Sequence, residues 1–67
     1  MFGERLKQAR NDRNYTQQEL ADKVGDHRVN IAGYESGVKT PSLAVTVRIA
    51  DELNVSLDWL LNRKVND

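Results

Sequence analysis

Residues 17–36 carry the spacing that most limits the fold of this chain. Their sequence is QQELADKVGDHRVNIAGYES, in which Ala21 stands four residues before Gly25. Glycine adopts the positive φ of a tight turn without strain, and a small residue one helical turn earlier lets a second helix cross closely. Apolar residues flank the turn at helical intervals, and they are Leu20, Val24, Ile31 and Tyr34. Together these steric conditions predict two short helices joined by a glycine turn, which is the spacing of a helix-turn-helix unit.

The charge balance and the cysteine count limit the kinds of site that the chain can carry. Ten Lys and Arg residues balance ten Asp and Glu residues, so a surface that binds an anionic partner must come from local clustering. The absence of cysteine excludes disulfides and thiolate metal sites and is compatible with a reducing compartment. With one histidine and no carboxylate cluster at ligand spacing, we expect no metal, no cofactor and no enzymatic activity.

Length and apolar content predict a single domain over residues 1–67. Apolar residues make up 39% of the chain, which is too many for a disordered segment. The N-terminal sequence MFGERLKQAR lacks the apolar segment of a secretory signal, and no run elsewhere is long enough to span a bilayer. We therefore expect a cytoplasmic protein without membrane contact.

Residues that favour helix starts and ends divide the chain into five segments. Thr16 and Glu19 are spaced for a capping box, and Ser56 is placed to cap the last helix. Pro41 fits a first helical turn, with a neighbouring Thr or Ser as its cap. The residues that tolerate left-handed backbone just past a helix end are Asn14, Gly25, Gly37 and Asn54. The predicted helices are 3–13, 17–24, 28–36, 42–53 and 57–62.

The predicted architecture is an all-α bundle of five short helices around one small core, because no segment shows sustained strand alternation. The expected core residues are the apolar ones that repeat at helical spacing. They are Leu6, Ala9, Leu20, Ala21, Val24, Ile31, Tyr34, Leu43, Val47, Ile49, Ala50, Leu53, Val55, Leu57, Leu60 and Leu61.

The third helix should present one face to a partner. Because Ile31 and Tyr34 are three residues apart and turn inward, the opposite face is exposed. In a helix-turn-helix this face enters the major groove of DNA. The predicted base contacts are His27, Arg28, Val29, Ala32 and Gly33. Arg28 is the strongest of these because arginine pairs with guanine, although it is equally well explained as a solvated surface residue.

Phosphate contacts are predicted around this face. Gln17, at the start of the second helix, can offer its amide beside free backbone N–H groups. The turn after the third helix can line the same groove. The full predicted set is Gln17, Asn30, Ser36, Lys39 and Thr40. Taken singly, each is also an ordinary exposed residue.

An internal ion pair is predicted between the first and third helices. Arg10 lies one turn after Leu6 on the inner side of the first helix, and Glu35 lies at the edge of the core-facing side of the third. A partly buried pair would fix the geometry of the two helices.

Five segments together resemble one family of DNA-binding proteins. RLKQAR, YTQQELADKVG, IAGYESG, TPSL and RIADELNVSLDWLL match, without a gap, the pattern of the lambda-repressor-like, Cro-type (Xre) helix-turn-helix family. The resemblance covers about residues 5–62. It implies a compact five-helix domain, a transcriptional regulator that most often acts as a repressor, and a dimer on a palindromic operator. Asp26, Gly33 and Val38 depart from the pattern and affect the expected target more than the fold.

The resemblance also implies roles by position. Gln17 corresponds to the phosphate-contacting glutamine of the family, and Arg10 and Glu35 to its internal salt bridge. Base-contacting positions are His27, Arg28, Val29, Ala32 and Gly33, and the backbone-contacting turn holds Ser36, Lys39 and Thr40. Asp26 is placed to cap the third helix, which would move its start by one residue, and it also brings negative charge near the DNA.

A homodimer is the expected assembly, since one short domain makes few base contacts. The predicted interface is Leu57, Trp59, Leu61 and Val65. The alternative for Trp59 is that it covers the small core. The alternative function is an antitoxin or another module that holds a protein partner, which the neutral net charge favours. We expect a regulator of phage or mobile-element origin, and a chain that is either complete or the N-terminal half of a longer regulator.

Overall fold

The computed structural model describes residues 2–62, which fold into five helices joined by short turns. They are α1 (Phe2–Asp12), α2 (Gln17–Val24), α3 (Arg28–Ser36), α4 (Leu43–Leu53) and α5 (Leu57–Leu60). This confirms the predicted all-α class. The first four helices begin and end within one residue of the prediction, and α5 ends two residues earlier. Within the same range, no helix is long and apolar enough to cross a membrane.

Local hydrogen bonds set the helix starts. The Thr16 hydroxyl accepts from the Glu19 N–H at 3.0 Å, and the Glu19 carboxylate accepts from the Thr16 N–H at 2.8 Å, which completes the predicted capping box. Ser56 accepts from the Trp59 N–H at 3.0 Å. Pro41 was expected in the first turn of α4, but Ser42 caps this helix and Pro41 therefore precedes it.

Left-handed backbone sets the helix ends. The four residues predicted for this role all have positive φ, and they are Asn14, Gly25, Gly37 and Asn54. Asn62 has φ of 56° as well, so the chain leaves the helical path just after Leu61, the C-cap of α5. This turn is the reason that α5 is shorter than the predicted 57–62.

Each helix contributes one large side chain that is fully enclosed at the centre of the bundle. These five side chains have no solvent exposure, and they are Leu6, Leu20, Ile31, Ile49 and Leu60. Helix α3 packs against both α1 and α2, and α4 packs against α2 and α5. Each helix therefore buries its apolar stripe against at least one neighbour, as a small bundle requires.

Two residues predicted for the core lie on the surface of α4. Leu43 is 68% exposed and Val47 is 38% exposed. The inward face of α4 is instead formed at helical spacing by Thr46, Ile49, Ala50 and Leu53. Thr46 can be buried because its hydroxyl donates to the Ser42 carbonyl at 2.8 Å. Val47 was predicted to be buried because it is apolar and Thr46 was not because it is polar, but the hydrogen bond of the Thr46 hydroxyl allows the threonine to be buried.

Three other predicted core residues are only partly buried. Val55 and Leu57 pack against the core from its edge. Leu61 is partly exposed at the C-cap of α5, where it lines a cavity with Phe2 and Pro41. These residues cover the end of the bundle and do not lie at its centre.

Gly3 lies where α1 and α3 approach each other closely. A Cβ atom at this position would lie 2.3 Å from the Glu35 carbonyl oxygen and 2.9 Å from that of Tyr34. Real Cβ atoms do not approach backbone oxygens so closely. The start of α1 therefore sits against the end of α3, and only glycine allows it.

We expect Gly3→Ala to lower the free energy of unfolding by about 1–3 kcal/mol, because the added methyl group forces α1 away from α3. Thermal unfolding followed by circular dichroism measures the change. Gly33→Ala is the matched control, since the three atoms nearest to its added Cβ belong to the side chain of Lys39 and not to backbone. Equal midpoints for Gly3→Ala and the unchanged protein would contradict the close packing.

Candidate nucleic-acid interface

The outward face of α3 begins with three exposed residues. Ile31 is fully buried and Tyr34 is 7% exposed, which turns the opposite face to solvent. His27 is the N-cap of α3 and, with Arg28 and Val29, is exposed. The side chain of Arg28 makes no hydrogen bond or ion pair with any residue between 2 and 62. Its guanidinium thus has all of its donors available to an outside partner.

The predicted base-contacting positions further along α3 are partly covered. Ala32 and Gly33 are both half-buried. At Gly33 the cover is an internal side chain, because an added Cβ would lie 2.9 Å from Cγ and Cδ of Lys39. The structure therefore gives an intramolecular reason for glycine at this position, beside the predicted close approach to DNA.

A hydrogen-bonded chain of polar groups runs along α3. Lys39 Nζ donates to Asn30 Oδ1 at 2.6 Å, and Asn30 Nδ2 donates to Asp26 Oδ1 at 2.8 Å. The Tyr34 hydroxyl donates to Asp26 Oδ2 at 2.8 Å. Asp26, Asn30 and Tyr34 are successive members of an i, i+4 series, the spacing at which helical side chains meet. The i, i+4 spacing of these three residues is present in the sequence, but no hydrogen bond among them was predicted.

Asp26 is the shared acceptor of this network and does not cap α3. His27 is the N-cap, and α3 begins at Arg28 as predicted. Partial burial acts to raise the pKa of Asp26, but hydrogen bonds from Asn30, the His27 N–H and Tyr34 outweigh it and hold the pKa below 3.8. Burial and the bond to the Asp26 carboxylate raise the pKa of Tyr34 above 10.0.

Arg10 and Glu35 form a buried, two-point ion pair. Arg10 Nε lies 2.6 Å from Glu35 Oε2, and Nη2 lies 3.1 Å from Oε1, with both side chains less than a tenth exposed. Arg10 Nη1 also donates to the Tyr15 carbonyl at 2.8 Å. Gln17 Nε2 donates to Glu35 Oε1 at 3.1 Å. The pair therefore joins α1, α3 and the start of α2.

Gln17 has an internal role that the sequence did not predict. One hydrogen of its amide is used by Glu35, which fixes the side chain at the N-terminus of α2. The second amide hydrogen and the first backbone N–H groups of the helix are not used by that bond. Gln17 can therefore meet a phosphate in an orientation that Glu35 has already set.

The remaining predicted phosphate contacts lie around the end of α3. Ser36, Lys39 and Thr40 are exposed in or beside the turn that follows the helix. The Ser36 hydroxyl donates to the Gly33 carbonyl at 3.2 Å. Asn30 is partly buried and lies between Asp26 and Lys39, so both ends of its amide are in use.

Arg13 and Arg48 donate to the ends of other helices. Arg48 Nε donates to the Val24 carbonyl at 3.1 Å, and Arg13 Nε donates to that of Leu53 at 3.2 Å. Both carbonyls belong to the last residue of a helix, where backbone acceptors lack partners within the helix. These cations therefore stabilise helix ends.

The described residues predicted for the dimer interface belong to α5 and its C-cap. Leu57 and Trp59 are half-buried against the core. The guanidinium of Arg5 lies 4.9 Å from the centre of the Trp59 ring, and its Nη1 donates to the Trp59 carbonyl at 3.1 Å. Leu61 is partly exposed, and Val65 lies outside the described residues. No group of metal-ligating side chains is present between residues 2 and 62.

Sequence comparisons find related transcriptional regulators. The family model described as Helix-turn-helix matches residues 6–60. The HTH-type transcriptional regulator YqaE of Bacillus subtilis is 40% identical over 67 residues, which are 100% of this chain and 58% of YqaE. The cryptic phage CTXphi transcriptional repressor RstR of Vibrio cholerae is 39% identical over 64 residues, 96% of this chain and 57% of RstR. The chain thus spans a little over half the length of these relatives.

Structural comparisons find the same fold in repressor domains. SinR in complex with DNA superposes with a TM-score of 0.85 at 32% identity, covering 91% of this chain and 98% of that one. The P22 c2 repressor in complex with a synthetic operator gives 0.86 at 27% identity, covering 90% and 91%. A complex of SinR with SinI protein gives 0.86 at 32% identity, covering 92% of this chain and 61% of that one.

Removing Glu35 should destabilise the fold strongly. In Glu35→Ala the Arg10 guanidinium stays buried without its carboxylate, and we expect a loss of about 3–5 kcal/mol in the free energy of unfolding, measured by urea denaturation. The double variant Arg10→Met/Glu35→Leu removes both charges and should lose less than Glu35→Ala. A double variant as unstable as the single one would show that the unpaired charge is not the cause.

Asp26 should make stability depend on pH in the acidic range. Because its pKa is lower in the folded chain than the ordinary 3.8, its stabilising contribution is present above that value and is lost as the pH falls through the folded pKa. Asp26→Asn cannot titrate at this position. Urea unfolding between about pH 5 and pH 3 should show a smaller loss of stability in Asp26→Asn than in the unchanged protein. Identical pH profiles would contradict this role.

Proposed function

This chain belongs to the helix-turn-helix family of transcriptional regulators, and on that premise we propose that it binds double-stranded DNA sequence-specifically as a repressor of transcription. The observation that carries the proposal is the start of α3, where Arg28 and Val29 are exposed and the Arg28 guanidinium has no partner among residues 2–62. Its relatives in the family include a phage repressor, and SinR and P22 c2 have been solved with DNA.

Helix α3 enters the major groove in this proposal. Arg28 donates two hydrogen bonds to O6 and N7 of a guanine, and Val29 contacts a thymine methyl group. His27 lies at the base edges beside them, and Ala32 and Gly33 carry no long side chain on this face. Each of these residues is on the exposed or half-exposed side of α3.

Backbone contacts on both sides of the groove fix the position of α3. Gln17 and the first N–H groups of α2 bind one phosphate. The turn after α3 binds the next, with Ser36 and Thr40 exposed for that purpose. Asn30 and Lys39 extend this contact along α3. Phosphate contacts of this kind set orientation and leave sequence selection to the base contacts.

Two copies bind together in this proposal, each on one half of a palindromic operator. Two half-sites about 34 Å apart double the base contacts of one small domain. Trp59, Leu57 and Leu61 at the α5 end, with Val65 beyond the described residues, supply the contact between copies. The exposed side chains of Leu43 and Val47 on α4 add apolar surface that a second copy can cover.

Selection of bound duplexes from a randomised pool at physiological salt tests this function. Enrichment of paired inverted half-sites is the expected result, and their spacing gives the geometry of the dimer. Enrichment of single half-sites would remove the dimer from the proposal and keep sequence-specific binding. Weak, salt-sensitive binding with no enriched sequence would overturn the proposal as a whole.

A second candidate function is a module that holds a protein partner, as an antitoxin does. The formal net charge of zero favours it, because DNA-binding domains gain affinity from a basic surface. SinR has been solved in a complex with SinI protein. Failure to enrich any duplex, together with a stoichiometric complex with the product of a neighbouring gene on co-expression, would favour this function.

Arg28→Ala should weaken binding to the selected operator by about 1–3 kcal/mol and relax selection at the base pair that it contacts. The thermal midpoint should stay almost unchanged, since Arg28 is exposed. Fluorescence anisotropy with operator and random duplexes measures both affinities. Lys7→Ala, an exposed basic residue of α1, is the control for loss of charge. An equal loss on operator and random DNA would show that Arg28 does not select bases.

A further inference from the structure

Gly33 leaves a gap in the middle of the exposed face of α3, and a side chain from another part of the chain fills it. The stem of Lys39 crosses this position so closely that a Cβ atom on residue 33 would lie 2.9 Å from its Cγ and Cδ and 3.2 Å from its Cβ. The backbone N–H of Lys39 also donates to the Gly33 carbonyl at 3.1 Å. Lys39 thus lies against the helix along its length.

The ammonium group of Lys39 is held on α3. Its Nζ donates to Asn30 Oδ1 at 2.6 Å, and Asn30 is oriented by its own bond to Asp26 at 2.8 Å. Because the Asn30 amide donates to Asp26, its oxygen is the atom that faces the lysine. The side chain of Lys39 is therefore placed one turn along α3 from Asp26, beside the base-contacting positions.

Two N–H donors of Lys39 are left over after the bond to Asn30, since an ammonium has three donors and no acceptor. A group of this kind suits guanine, which presents only acceptors, N7 and O6, at its major-groove edge. Thymine presents one acceptor there, O4, adenine presents one acceptor, N7, beside an amino group, and cytosine presents only an amino group. Guanine alone offers two acceptors to the two remaining donors. The chemistry therefore favours guanine as the partner of this amine.

We propose that Lys39 is a specificity-determining residue that donates to the major-groove edge of a guanine, in the place where Gly33 supplies no side chain. The proposal rests on the sequence-specific DNA binding proposed above. It moves Lys39 from the phosphate contacts, where the sequence placed it, to the base contacts. Asn30 and Asp26 are positioning residues that hold the ammonium on α3.

Lys39→Met tests the proposal because it keeps an unbranched stem over Gly33 and removes the charge. Duplex selection is repeated with this variant, with the unchanged protein and with Lys7→Met as the control. In Lys39→Met the preference for guanine should fall at one or two base pairs by about 5- to 150-fold, with the other positions of the selected sequence kept. Lys7→Met should keep the whole sequence.

The alternative outcomes separate the two proposals. A uniform loss of affinity on all duplexes, with an unchanged selected sequence and a salt slope reduced by about one, would show that Lys39 contacts phosphate and would overturn this inference alone. An unchanged protein that enriches no duplex would overturn both.

Gly33→Ala gives a second test that does not alter the lysine. The added methyl group displaces the Lys39 stem, so the same base pairs should lose their guanine preference while the thermal midpoint does not fall. The double variant Gly33→Ala/Lys39→Met should select the same sequence as Lys39→Met. Full guanine preference in Gly33→Ala would overturn the inference.

Discussion

The buried ion pair of Arg10 and Glu35 connects the parts of the domain on which an interface depends. It fastens α1 to α3, while Gln17 adds the start of α2 and the Tyr15 carbonyl adds the preceding loop. The pair acts mainly by fixing the positions of the helices, because two buried charges add little net stability to the fold. A single buried charge without its partner would lower the stability strongly. The positions of α2 and α3 relative to each other, and hence of Gln17 relative to Arg28, follow from this pair.

A formal net charge of zero says little about the exposed surface of this chain. Arg5, Arg13 and Arg48 donate to carbonyl groups in the last turns of α5, α4 and α2, where acceptors lack partners within the helix. These arginines replace bonds that longer or better-capped helices would make for themselves. Charge near α3 must therefore be judged from Arg28 and Lys39 and not from the balance of the whole sequence.

Local sequence patterns predict the backbone conformation of this domain better than they predict its side-chain contacts. Residues such as Thr16 and Asn54 act on their immediate neighbours, so capping and left-handed turns can be predicted from local spacing. Thr46 could not be placed inside from hydropathy, because its burial depends on the Ser42 carbonyl in the formed helix. Likewise Gly3 and Gly33 are explained by atoms that meet only after folding. The predicted residues of α3 lie on its outward side. Which of them contact bases and which contact phosphates depends on how each side chain runs over the helix, and residue spacing alone does not determine that.

The five largest fully enclosed side chains of the core come one from each helix, and this arrangement affects how the domain unfolds. These side chains exclude water from one another, and they are Leu6, Leu20, Ile31, Ile49 and Leu60. If one helix detaches, the core side chains of the other four become exposed to water. Partial opening is then nearly as costly as complete opening, so we expect the domain to unfold in a single cooperative step. In the proposed complex with DNA, the surface of α3 would therefore act as a rigid template that loses little conformational entropy on binding.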